Sequence, residues 1–157
     1  MPDTMRPLHP SHMKVLRVRA ALFAGALVLA AAGADALLLR ETRLPWGLAT
    51  GAALLLGLLI VLVMPQRRYR AWGWRMDEGE LRIASGVLVR SERVVPFGRV
   101  QHIDVVRGPL QRGYGLASLV LHTAGTRSGA IMLPGLEAEE AEAMRDHIRG
   151  RIREDLA

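Results

Sequence analysis

The chain offers few groups able to move protons or hold metals. Its five histidines are His9, His12, His102, His122 and His147, and only His9 and His12 stand near each other, in a polar N-terminal stretch. His102 and Asp104, two residues apart, share a face if their segment is a strand, and His122 belongs to a later apolar run. Acid–base catalysis and metal binding need such groups to converge, and two imidazoles with one carboxylate at no motif spacing read more simply as ordinary strand residues. Cysteine is absent, which excludes disulfides, thiolate ligands and thiol nucleophiles. No phosphate loop, G-x-S-x-G element or dinucleotide fingerprint occurs. The expectation is a chain with no catalytic residues, no metal and no cofactor.

The densest polar group is Arg99, Gln101, Arg107, Gln111 and Arg112. Two readings stay open. The arginines either pair with nearby acids around a sheet rim, or Arg99, Gln101, Arg107 and Arg112 form a recognition surface for an anionic lipid head group or a partner protein. Gly108, Pro109, Gly113 and Gly115 supply turns between them. The formal charge of +6 does not extend this surface to nucleic acid. Residues 66–157 carry fifteen arginines against twelve acids, and three of the fifteen are Arg67, Arg68 and Arg70, directly after an apolar run. The basic excess is membrane-proximal, and the remainder is electroneutral.

These side chains hang on a chain of two characters. Residues 20–39 form an apolar run of twenty residues with one charge, Asp35, and residues 44–64 form another with none. At about 1.5 Å per residue each spans roughly 30 Å, the thickness of a bilayer's hydrocarbon core. Only Arg40, Glu41, Thr42 and Arg43 separate the two runs, which are therefore expected to form an antiparallel hairpin. Four basic residues before it (Arg6, Lys14, Arg17, Arg19) and four after (Arg67, Arg68, Arg70, Arg75) outnumber the two in the loop, which puts both termini in the cytoplasm. The expected location is the inner (plasma) membrane. The expected boundaries are a cytoplasmic tail over 1–19, the hairpin over 20–64 and a cytoplasmic domain over 66–157.

Ala34-Asp35-Ala36 resembles a signal-peptide cleavage site, but the apolar run is longer than a usual signal core and its leader is nineteen residues long. Asp35 lies toward the outer end of the first span, where it can reach water or pair with Arg40 or Arg43 rather than serve an ion pathway. Ala26, Ala30 and Ala34, and Gly47 and Gly51, recur at four-residue spacing. Such rows let helices approach closely within the hairpin or between copies in a homo-oligomer.

After Pro65 the periodicity turns strand-like. Trp72, Trp74 and Met76 alternate on one face, followed by a turn at Asp77-Glu78-Gly79, then Leu81 and Ile83. The two tryptophans suit either a strand core or an interfacial anchor. Further strands are expected over 87–97, 100–106, 116–122 and 130–133. Over 99–106 apolar residues fall on both parities, as a doubly buried strand or a bulged one would show. Pro134-Gly135 is expected to end the last strand. The chain closes with a helix that is acidic first and basic last. Its stripe of Ala141, Met144, Ile148 and Ile152 is placed to pack on the sheet.

Several motifs together carry a resemblance: GVLVR at 86–90, VPFGRVQHIDV at 95–105, GPLQR at 108–112, GLA at 115–117 and TAG at 123–125. Over 66–155, with the preceding hairpin, the chain resembles the bacterial pleckstrin homology-like domain of the YdbS-like membrane proteins. The resemblance implies an α+β protein: a two-helix transmembrane hairpin, then a seven-stranded, bent, barrel-like sheet with a C-terminal capping helix. It implies no activity. The expected role is a non-catalytic binding or assembly module, with the lipid bilayer, a protein partner or a second copy, and anionic lipid head groups as partners. The alternative is an accessory subunit of a membrane transporter or export system.

Overall fold

The computed structural model describes residues 5–37, 47–124 and 130–155. The connecting loop with Arg40, Glu41, Thr42 and Arg43, and the turn over 125–129, lie outside the described residues. The chain divides into two units, Met13–Arg67 and a second made of residues up to His12 together with those from Arg68 onward.

The first unit is a helical hairpin. Helix α1, Ser11–Leu37, and helix α2, Leu48–Arg70, are each long and apolar enough to cross a membrane. Both exceed the apolar runs, and α2 continues through Pro65 to Arg70. The close approach is made by Ala24, Ala53 and Gly57, which are buried. A Cβ added at Gly57 would lie 3.1 Å from that of Ala24, so a small residue is required there. Ala26 and Ala30 are exposed, Ala34 is half-buried, and space around Gly47 and Gly51 is open.

In the second unit two antiparallel three-stranded sheets are joined by a 3-10 turn, Phe97–Arg99. The first sheet runs β1 (Gly73–Met76), β2 (Glu80–Ser85), β3 (Ser91–Pro96); the second runs β4 (Val100–Val106), β5 (Leu116–Thr123), β6 (Ala130–Glu137). A short helix α3, Pro109–Gly113, links β4 to β5, and α4, Ala138–Asp155, follows β6. The resemblance implied seven strands; the described residues hold six. The N-terminal segment stands beside β1, tied by one antiparallel bridge between Arg6 and Trp74. It also reaches inward. Leu8 is 1% exposed and joins the core, its carbonyl accepts from the Tyr69 hydroxyl at 2.7 Å, and the His9 amide donates to Gly135.

The core packs Trp74, Leu81, Ile83, Val95 and Phe97 with Ile103, Leu119, Leu121, Leu133 and Leu136. Trp74 is thus a strand core residue, whereas Trp72 precedes β1 and lies partly buried against the core. Helix α4 buries Ala141, Met144 and Ile148, as its stripe requires. The mixed parity of 99–106 resolves into a bulge, with a register shift between Val100 and His102. Two segments depart from expectation. Residues 87–89 are a hairpin tip rather than strand, because Gly86 turns the chain at φ +117°. Strand β6 continues through Pro134 and Gly135 to Glu137: a register shift between Ala117 and Leu119 takes up the irregularity, and Gly135 adopts φ +69°.

Candidate functional site

Strand β4 separates the four predicted binding residues. Gln101 stands near its start, just after Arg99 in the 3-10 turn, whereas Arg107 follows its end and Arg112 lies on α3. At about 3.3 Å per residue the two ends are roughly 20 Å apart, too far for one contact surface around a single ligand group. At the far end Arg107 forms an ion pair with Glu142 of α4. Gln111 is buried; its side-chain oxygen accepts from the Gly108 amide at 3.0 Å, capping α3, and its nitrogen donates to Ser118 Oγ at 2.8 Å. Arg112 is exposed.

The near end gathers different residues. Gln101, His102 and Ile103 of β4 face Arg149, Ile152 and Arg153 of α4 across an open concavity of about 270 Å³. Arg145, Arg149 and Arg153 recur at four-residue spacing and so share a helix face. Their role as recognition candidates was hidden because basic residues late in a helix are sufficiently explained by its dipole. One turn earlier, the Arg145 guanidinium hydrogen-bonds Asp146 and holds that carboxyl below its ordinary range.

Beside the concavity the register pairs His102 with His122 and sets Asp104 on the same face. The two Nε2 atoms lie 2.8 and 3.3 Å from the two oxygens of Asp104. The cluster is solvated, with side-chain exposures of 62% for His102 and 45% for Asp104. Among the described residues no group of three or more histidine, aspartate or glutamate side chains is placed to hold a metal ion.

In the hairpin, Asp35 is buried and acts on α2. Its carboxylate accepts from the Thr50 amide at 2.9 Å, the Thr50 hydroxyl at 2.6 Å and the Ala49 amide at 3.4 Å. Gly47, which precedes α2 at φ +88°, has no side chain with which to cap the helix. Asp35 supplies that cap from the other helix. Sequence spacing could not reveal Thr50 as its partner.

A family model described as Bacterial PH domain matches residues 19–152. The chain belongs to the bacterial PH domain family. It is also similar to two proteins of Bacillus subtilis strain 168. The UPF0699 transmembrane protein YdbS is 40% identical over 99 residues, 62% of this chain and 60% of that protein. The UPF0699 transmembrane protein YdbT is 26% identical over 99 residues, 61% of this chain and 20% of that protein. The bacterial PH chain thus spans 60% of one curated relative and 20% of the other. No solved structure matches it. The two apolar helices and these similarities make it a membrane protein with transmembrane helices.

Proposed function

We propose that this chain is a membrane-anchored, non-catalytic binding module. In this reading the hairpin fixes the PH domain at the cytoplasmic face of the inner membrane, with both termini inside, and the domain engages a partner protein through an acidic group. The carrying observation is the concavity where Gln101 meets Arg149 and Arg153. Guanidinium forks bind carboxylates with directed, paired hydrogen bonds that a lysine cannot reproduce. Arg99 lies just before this end of β4, whereas Arg107, paired with Glu142, and Arg112 lie toward the other end. A photo-crosslinking residue at position 101, in full-length protein in native membranes, tests the proposal. A discrete protein adduct that Arg149→Glu with Arg153→Glu abolishes supports it; an adduct pattern indifferent to those substitutions refutes it.

The alternative, an accessory subunit of a transporter or export system, would use Asp35. That carboxylate is already engaged by the N-terminus of α2, which weighs against a pathway role.

A further inference from the structure

The hairpin tip between β2 and β3 is built to expose three branched aliphatic side chains. Val87, Leu88 and Val89 are 42%, 92% and 80% exposed. The tip has a defined conformation: Gly86 sits at φ +117°, and a Cβ there would fall 1.9 Å from the Val89 carbonyl oxygen. No other residue can close the turn in this form. The Ser91 hydroxyl donates to the Ser85 carbonyl at 3.2 Å beneath it. Three exposed aliphatic side chains in an ordered turn call for a nonaqueous neighbour.

The strand register says where the tip points. Gly73, three residues after α2 ends at Arg70, pairs with Ala84, so β2 runs back toward the end of the sheet where the chain arrives from α2. The antiparallel bridge of Arg6 to Trp74 directs the N-terminal segment to that same end, where α1 starts at Ser11. Both helix junctions and the 86–90 tip therefore share one end of the sheet. Arg90 and Arg93 flank the tip and are exposed, with one acid, Glu92, between them, and Arg68 and Arg70 are exposed at the end of α2. A convex apolar tip with a basic collar complements an anionic bilayer surface. Three side chains fall far short of the roughly 800 Å² per partner that a stable protein interface buries. The tether removes the need for strong intrinsic affinity, since the bilayer is held within reach.

We infer that Val87, Leu88 and Val89 insert into the chain's own membrane, with Arg90 and Arg93 on lipid phosphates, as a third membrane contact beside the two helices. The chain has no cysteine, so single-cysteine variants give unique labelling sites. Full-length protein carrying Leu88→Cys, Ser91→Cys or Glu78→Cys is labelled with an environment-sensitive fluorophore. Each is placed in nanodiscs of phosphatidylethanolamine and phosphatidylglycerol. Glu78 lies in the β1–β2 turn, at the opposite end of the sheet.

The expected result is several-fold stronger quenching of the 88 label by acyl-chain nitroxides than of the 78 label, with weaker quenching by aqueous iodide. The 91 label is expected to lose its lipid quenching when Val87, Leu88 and Val89 are all replaced by serine, which separates insertion of the tip from insertion of the dye. Equal iodide access at 88 and 78 would overturn the inference. So would an 88 label shielded from both quenchers, which indicates protein cover, or a 91 label unaffected by the serine tip.

Discussion

Asp35 is a charged residue inside a membrane span whose chemistry is settled by three donors at the start of α2. Asparagine caps helices about as well as aspartate, whereas alanine costs about 0.5–2 kcal/mol. Asp35→Asn should therefore leave the thermal unfolding of detergent-solubilised protein nearly unchanged, and Asp35→Ala should lower its midpoint. If Asp35→Asn removes the chain's cellular role while the fold persists, the carboxylate's charge matters and the transporter reading gains. Gly135 is constrained twice, by φ +69° and by His12, whose Cγ would lie 2.6 Å from an added Cβ. Left-handed backbone costs a non-glycine residue about 1–2 kcal/mol, and the ring must move as well. Gly135→Ala is expected to destabilise by at least that much, read as a lower unfolding midpoint. The sequence marked Gly135 only as a breaker, because the histidine that packs on it lies more than a hundred residues away.

Elements announced by periodicity were legible, and those made by distant segments were not. The spans, the alternation of β1 and β2 and the stripe of α4 depend on neighbours in sequence. Ile148, fully buried on that stripe, supports a sharp expectation. Ile148→Asp places an unpaired carboxylate in the core at a cost of several kcal/mol, against total stabilities of about 5–15 kcal/mol, and should abolish cooperative unfolding. The N-terminal segment was misleading because a single buried leucine among polar residues has no period. Leu8 packs beneath the sheet, and truncations that bury nothing in its place usually cost about 2–5 kcal/mol. Leu8→Ala should thus destabilise the PH domain, although it lies outside the domain's contiguous sequence. An unfolding midpoint equal to that of the parent would show that the segment merely rests on the surface. The candidate site was half visible: Gln101 was found from local density, but Arg149 and Arg153 reach it only through the packing of α4 against β4.

At the scale of the whole molecule, the chain enters and leaves the helical hairpin at His12 and Arg68, so the PH domain is built from segments on both sides of it. Topology is checked with an impermeant thiol reagent on cysteine variants in intact cells. Thr42→Cys should react, and Glu78→Cys should react only after permeabilisation; the reverse pattern would invert the molecule. The anchored-module proposal then turns on exchanging residues 13–67 for an unrelated two-span hairpin of the same orientation. Crosslinking from position 101 is measured in native membranes of the parent and the chimera. The expected result is the same protein adduct in both, still abolished by Arg149→Glu with Arg153→Glu. Loss of that adduct in a correctly inserted, folded chimera would contradict the proposal and assign recognition to the helices.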